Sequence, residues 1–407
     1  MKLEDVYRGR DHKIKPTLER IQKAVDFIGN PQRDFPAVLV GGTNGKGSTC
    51  AFVESVFRHH GLKTGWFVSP HLISENERWR VNGEPITCED LSSMIKELKG
   101  VFSKFELTYF EAATLIACKY FSEVGVDVGV FEVGMGGRWD ATKVCLPEVI
   151  CITNVGRDHT RWLGDTIEDI AVDKLHLYRN GAPFVVGSPV YPLYPKAVEM
   201  GYRDMVVAGV DFQCWGRVEG YRTLLGCYEF GELLIKDVEL GLWGKWQISN
   251  AALAVTISSL FLRRLDVEKV RTALGNTRWE GRMEILREKP LLIVDGAHNP
   301  HAISVIVKHL RGIPKMRIAF TGLKGKEWRE SLEIIRGYID EIILVPVSSS
   351  RGENIVDMRD YALSLGFKKV EVLSDVVELL SFPEDICAFG SLYLVGEIKE
   401  ALQFSVI

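Results

Sequence analysis

The chain has eight cysteines, Cys50, Cys88, Cys118, Cys145, Cys151, Cys214, Cys227 and Cys387, but no C-x-x-C pair among them. That argues against a zinc knuckle or a dithiol redox centre, and the thiols read as reduced and largely buried in apolar runs. A basic excess is lacking too. Fifty Lys and Arg stand against 54 Asp and Glu, a formal net charge of -4, so bulk electrostatics gives no footprint for nucleic acid or an anionic membrane. Small anionic ligands need only a local positive patch and stay open. Long apolar runs are missing as well: Met1 to Lys15 mixes Asp, Arg and Lys, and no later stretch approaches the roughly 18 uncharged residues of a membrane span. The expectation is a cytoplasmic protein, neither secreted nor membrane-inserted. No internal repeat or low-complexity tract occurs, and 407 residues at 46% hydrophobic content are enough for two domains.

Up to about residue 190 one unit recurs: an apolar β-branched run, a glycine-containing loop, then a segment of helical period. This alternation predicts a parallel sheet with helical crossovers. The strands are expected at Ala37 to Val40, Thr64 to Val68, Val126 to Val133, Val149 to Val155 and Phe184 to Val186, apolar enough to be covered on both faces. Between Tyr191 and Leu242 short Gly-, Tyr- and Trp-rich segments, including Glu219 to Cys227 and Glu229 to Lys236, predict antiparallel strands; a helix follows from Ile248 to Leu262. A second alternation runs through Leu291 to Val294, Arg317 to Thr321, Glu341 to Val345, Val370 to Leu373 and Ala388 to Tyr393. The fold class expected is α/β, with a parallel-sheet domain over residues 1–280, carrying the P-loop-type turn taken up next, and a smaller Rossmann-like α/β domain over 281–407.

One loop carries specific chemistry. Val38-Leu39-Val40 leads through Gly41, Gly42, Thr43, Asn44, Gly45, Lys46, Gly47, Ser48 and Thr49 into a helix with Phe52, Val53, Val56 and Phe57 on its buried face. Glycines let backbone N–H groups converge on a phosphate, the helix N-terminus adds its dipole, and Lys46 supplies a mobile cation. The general pattern G-x-x-x-x-G-K-[ST] is only partly met, since position 40 is Val and Gly47 follows the lysine, so Ser48 or Thr49 has to supply the hydroxyl.

The run G-T-N-G-K-G-S-T resembles the ATP-binding signature of folylpolyglutamate synthases, and the resemblance extends from about Ile14 to Gly396. Ser69-Pro70-His71-Leu72, Asn76-Glu77-Arg78 and Asn82-Gly83 resemble that family's S-P-H-L…N-E-R…N-G loop, although Glu75 stands where the family commonly has an aromatic. Glu132 with Gly134 to Thr142 resembles E-V-G-x-G-G-R-x-D-A-T, and Gly156 to Thr160 resembles G-x-D-H-T. Asp173-Lys174 stands for the family's Glu-Lys, on a helix expected to open with a capping box from Asp165 to Glu168. Trp246 and Glu280 replace a family His and Pro in the Gly244–Ala252 and Trp279–Glu284 segments. Asp295 to Pro300 matches D-G-A-H-N-P, and Gly390 to Gly396 the family's closing strand.

This resemblance implies an ATP-dependent ligase that joins L-glutamate to a folate or dihydropteroate carboxylate through an acyl phosphate, with ATP and Mg2+ as cofactors. It implies catalytic roles for Lys46, His159, Lys174, Arg282 and His298. ATP contacts fall to Gly42, Thr43, Asn44, Gly45, Lys46, Gly47, Ser48, Thr49, Gln247, Asn250, Arg282 and Asp295, with Arg282 reaching the phosphates across the domain cleft. The metal would take Ser48, Ser69, Glu132, His159 and a carbamylated Lys174; Ser69, Glu132 and His159, each following a strand of one sheet, are expected to converge. Substrate contacts fall to His71, Asn76, Arg78 and Asp140, and Lys13 to Arg20 resembles the family's substrate loop. No nucleic-acid or membrane partner is implied, and a monomer is expected. Three rivals stay open: dihydrofolate synthase activity alone or alongside, a Mur-type ligase of a cell-wall precursor, and a non-enzymatic nucleotide switch. The last leaves Asp295 to Pro300 unexplained.

Overall fold

The computed structural model describes residues 1–7, 16–188, 191–311, 313 and 316–404. Lys13, Ile14 and Lys15 of the expected substrate loop lie outside the described residues. The chain forms two compact units. One comprises Met1–Gly156, Thr160–Gly241 and Lys245–Arg278; the other comprises Arg157–His159, Leu242–Gly244 and Trp279–Ile407. The principal division thus falls between Arg278 and Trp279, and the second unit also takes two short pieces from earlier in the chain.

The first unit is built on a sheet whose order, among the described residues, is Glu84–Pro85, Trp79–Val81, Thr64–Phe67, Val128–Glu132, Ala37–Gly41, Pro147–Ile152, Phe184–Val186 and Met205–Val207. The six strands from Thr64–Phe67 onward pair in parallel, and the first two close the edge as antiparallel additions. Ala37–Gly41 and Val128–Glu132 are buried at every residue, as strands covered on both faces must be. On one side Phe35, Phe67, Phe121 and Phe131 interlock with ring centroids 5.7–6.3 Å apart. Each such ring stabilises the fold by about 1.5–3 kcal/mol through burial alone. On the other side helix Lys46–His59 packs against helix Trp246–Leu262, which carries buried Ala251, Leu253, Val255 and Ile257 around its circumference.

Three antiparallel strands, Phe212–Glu219, Arg222–Phe230 and Leu233–Leu240, form a meander in the same unit. Its turns lie at Gly220 and Gly231, both with positive φ, so the expected strand Glu219 to Cys227 in fact straddles a turn. The helix carrying Lys174 spans Ile167–Leu175 and opens on a capping box from Thr166 to Asp169, one residue later than the sequence suggested. The Thr166 hydroxyl accepts the Asp169 N–H at 3.1 Å, a bond that Asp165 is one position too early to make.

The second unit holds a sheet in the order Glu284–Glu288, Leu291–Asp295, Ile386–Phe389, Arg317–Phe320, Glu341–Leu344 and Lys369–Val372, parallel except for the first pair. The expected strand from Ala388 to Tyr393 is corrected here. Gly390 turns the chain with φ +119°, Ser391 Oγ accepts the Tyr393 N–H at 3.0 Å, and Leu392–Phe404 is a helix. No helix among the described residues is long and apolar enough to cross a membrane.

Candidate active site

Strands Thr64–Phe67, Val128–Glu132 and Ala37–Gly41 are neighbours in one parallel sheet, so the loops leaving their C-terminal ends share one edge of it. The phosphate-type loop leaves the last of the three. Gly42 and Gly45 have φ of +137° and +83°, which only glycine adopts without strain, and a Cβ on Gly45 would lie 2.5 Å from Asn250 Oδ1. The loop is braced from the neighbouring strand end. Thr43 N–H donates to Asn154 O and Asn44 N–H to Asn154 Oδ1, both at 3.0 Å, while Thr153 Oγ1 donates to Asn44 O at 2.7 Å. Thr43 Oγ1 both donates to and accepts from the Gly156 backbone.

Lys46 Nζ donates to Thr43 O at 3.1 Å. Ser48 Oγ accepts Gln247 Nε2 at 3.4 Å, and Asn250 Nδ2 donates to Gln247 Oε1 at 2.8 Å, so Gln247 and Asn250 sit against the loop. Thr49 Oγ1 is buried with no protein partner among the described residues. A buried hydroxyl left over in the first turn of such a helix is the kind of atom a bound ligand satisfies.

Glu132, 5% exposed, ends the middle strand, and Ser69 N–H approaches its Oε2 at 3.5 Å. Ser48, Ser69 and Glu132 offer oxygen donors only, the set that suits a hard divalent cation sharing its shell with water and phosphate. His159, expected to converge with Ser69 and Glu132, belongs by its packing to the second unit. Lys174 is 4% exposed rather than surface-lying, and its Nζ donates to Gly42 O at 3.1 Å. The adjacent Asp173 Oδ1 accepts Gly137 N–H at 2.9 Å, and a Cβ on Gly137 would meet Lys174 O at 2.5 Å.

Two expected substrate contacts are committed to their own surroundings. Asp140 Oδ1 accepts both the N–H and the hydroxyl of Thr142, and its Oδ2 accepts Met135 N–H at 3.0 Å. Burial raises its carboxyl against these lowering hydrogen bonds, and its evident work is bracing the G-G-R loop. Asn76 Nδ2 donates to Ile86 O at 3.1 Å. His71 Nδ1 accepts Arg78 Nε–H at 2.9 Å, which leaves its proton on Nε2, 3.4 Å from Glu4 Oε1. Burial, then the charges of Arg78 and Lys2, push His71 down to about 3, so the Glu4 contact at neutral pH involves a neutral imidazole rather than an ion pair.

In the second unit, Asp295 Oδ1 accepts Ala297 N–H at 2.7 Å and Oδ2 accepts Met283 N–H at 2.9 Å. Burial raises this carboxyl and the nearby Arg282 charge opposes the rise. Arg282 Nη1 donates to Gly281 O, and a Cβ on Gly296 would fall 2.6 Å from it. His298 Nδ1 donates to Gly296 O at 2.9 Å.

The residues that sequence reasoning missed here are Asp158 and Lys326, both nearly buried and paired directly. Asp158 also accepts His159 N–H at 2.8 Å and Asn299 Nδ2 at 3.3 Å, and lies 3.7 Å from His298 Nε2. Burial pushes its carboxyl up, but His298, His159 and Lys326 together outweigh that and hold it well below the usual carboxylate range. Within one unit, then, His159, His298 and a lysine ring one buried carboxylate. The only hint in sequence was the Asp before His159, since nothing near Lys326 marked it.

Residues 40–186 match the Mur ligase middle domain, and residues 281–390 the Mur ligase glutamate ligase domain. The chain is similar to a Haloferax volcanii protein named as a probable bifunctional folylpolyglutamate synthase/dihydropteroate synthase, at 31% identity over 98% of this chain; it spans half the length of that relative. The structure resembles the folylpolyglutamate synthase of Thermotoga maritima with a TM-score of 0.86 and 32% identity, covering 99% of this chain and 97% of that one. It also resembles E. coli FolC in complex with DHPP and ADP, with a TM-score of 0.89 and 26% identity over 100% and 97% of the two chains. With both matched domains in order around a glycine loop, a strand-end carboxylate and a D-G-A-H-N-P turn, the chain belongs to the folylpolyglutamate synthase/dihydrofolate synthase family of the Mur ligase superfamily.

Proposed function

We propose that this chain is an ATP-dependent ligase that adds L-glutamate to the carboxylate of a folate or dihydropteroate acceptor. A carboxylate must become a better electrophile before an amine can form an amide with it. Transfer of the γ-phosphoryl group of ATP achieves this, giving an acyl phosphate and ADP, provided positive charge offsets the charge building on the phosphates. The glutamate amine then attacks the acyl carbon, phosphate leaves, and the amine gives up a proton. Lys46, the first residue of the helix that follows the glycine turn, would meet the outer phosphates, with Gly42 to Thr49 offering backbone N–H groups. Arg282 adds a fixed guanidinium next to Asp295.

The observation that carries the reading is the single sheet edge that brings together the Lys46 loop, Glu132 and Ser69 from three adjacent parallel strands. Use of an adenine nucleotide with a divalent metal follows from family membership. We assign the metal as magnesium, held by Ser48, Ser69 and Glu132 of the first unit, with a carbamylated Lys174 as a further ligand; it would supply Lewis-acid neutralisation of phosphate charge. Cytoplasmic location and a monomeric state belong to the same proposal.

The test is ATP turnover with each component omitted in turn. ADP and phosphate should appear only when dihydropteroate or tetrahydrofolate and L-glutamate are both present. Turnover independent of glutamate would remove the ligase assignment and leave a nucleotide hydrolase.

A further inference from the structure

The segment Glu75–Arg78, a short 3-10 turn, sits in the loop that follows strand Thr64–Phe67. Glu75 departs from the family's usual aromatic, and its side chain faces inward. It is 3% exposed, its Oε2 accepts Leu3 N–H at 2.7 Å, and its Oε1 accepts both Glu4 N–H at 2.8 Å and the Tyr109 hydroxyl at 3.1 Å. Three donors on one buried carboxylate is the arrangement that makes such burial tolerable. The Tyr7 hydroxyl donates to Leu107 O at 2.9 Å, and the Tyr7 and Tyr109 rings meet edge-on at 5.8 Å. Glu4 faces His71 from the same N-terminal helix, Leu3–Tyr7, and Arg78 lies over the Tyr109 ring at 5.2 Å while donating to His71. Further along the chain, Arg20 donates to both carboxylate oxygens of Glu111, at 3.2 and 3.0 Å. Both described ends flanking residues 8–15 are therefore fastened to the first turn of helix Tyr109–Val124, one of them through Glu75.

We propose that Glu75 is a positioning residue for the acceptor substrate: its buried carboxylate clamps the N-terminal helix onto the His71–Arg78 loop, and so fixes His71 and Arg78, the side chains to which the family resemblance gives acceptor contacts. A backbone N–H pair is an exacting load. The change Glu75→Gln would keep one acceptor oxygen but turn an NH2 toward a donor, and Glu75→Ala would take the acceptor from the buried Leu3 N–H and the part-buried Glu4 N–H. The clamp acts through Leu3 and Glu4 and touches neither the phosphate loop nor Glu132. Its loss should therefore be felt by the acceptor and not by ATP.

The proposal rests on the ligase reading above, so the experiment separates the two. Steady-state kinetics with dihydropteroate and with tetrahydrofolate are measured on the full chain, on Glu75→Ala, on Glu75→Gln, and on a chain lacking residues 2–7 with and without Glu75→Ala. Expected for Glu75→Ala is a rise of about tenfold in acceptor KM, with kcat and the KM for ATP within about twofold of the parent. Glu75→Gln should fall between the two, and Glu75→Ala should add nothing further in the shortened chain. Amide hydrogen exchange at Leu3 and Glu4 should quicken in Glu75→Ala, a readout that needs no turnover. Unchanged acceptor KM, an equal rise in the KM for ATP, or additive effects in the shortened chain overturns the proposal. If the parent chain ligates neither acceptor, the ligase reading falls, and the exchange measurement still decides whether the clamp exists.

Discussion

The phosphate loop and the Pro70–Arg78 loop both leave parallel strands of the same sheet, yet they are held in different ways. Gly42 to Thr49 owes its shape to what its own residues permit: positive φ at two glycines, a helix that begins at Lys46, and braces from the adjoining strand end. The 70–78 loop is tied within itself, Glu77 accepting the Leu72, Ile73 and Ser74 N–H groups, and in addition it leans on distant partners, Glu75 on Leu3 and Glu4, and Arg78 on the ring of Tyr109. A local device leaves a readable pattern, whereas a device assembled from distant segments does not.

The largest expected effects lie on the first loop and on the lysine packed against it. Lys174→Ala removes a buried side chain that touches Gly42 and should be nearly inactive. If Lys174 acts as a carbamate, formate or acetate should restore part of the rate, because a carboxylate can fill the anionic position; rescue by small amines, with full parent activity after bicarbonate removal, would assign it an ammonium role. Lys46→Ala should lower kcat by on the order of a hundredfold while leaving the melting temperature close to the parent's, since in the proposed reaction its charge would be felt chiefly by the transferring phosphoryl group. Near-normal turnover would erase the distinction drawn here between the two loops.

Asp158→Asn sharpens the comparison from the second unit. Removing one member of a buried charge pair should cost about 3 kcal/mol at neutral pH. The folded-state carboxyl is depressed, so its stabilisation is present above the ordinary value of 3.8 and is lost as pH falls below that. Melting curves of the parent and Asp158→Asn should converge on acidification below about pH 4 and stay apart from about pH 5 upward. A pH-independent gap would mean that packing, not charge, does the stabilising.

The smallest effect is expected at Glu280, where the family has proline. Its carboxylate is half exposed and meets Lys399 Nζ at 2.5 Å, with Glu284 on the same lysine at 2.8 Å. Glu280→Ala should change stability by less than about 1 kcal/mol in chemical denaturation.

The sheet, its strand positions and the Lys46, Glu132 and Asp295 turns were legible because apolar runs and glycines act within a few residues of one another. The helix at Leu392 carries no local mark that separates it from a strand, because its Gly390–Ser391 start lies inside an apolar run of either period. The Asp158–Lys326 pair and the Glu75–Leu3 bond of the clamp join residues 168 and 72 positions apart, beyond the reach of any local pattern. Asp140 was placed by resemblance among substrate contacts, but its oxygens are taken by Met135 and Thr142 of its own loop.

The central claim is that the Lys46 loop and the Glu132 edge activate a folate-type carboxylate for attack by glutamate. Mass spectrometry of the products formed from dihydropteroate and from tetrahydrofolate, each with ATP and L-glutamate, tests it directly. A product heavier by one glutamate residue is expected from at least one acceptor, matched mole for mole by ADP; ADP formed without any glutamate-extended product would contradict the proposed ligation.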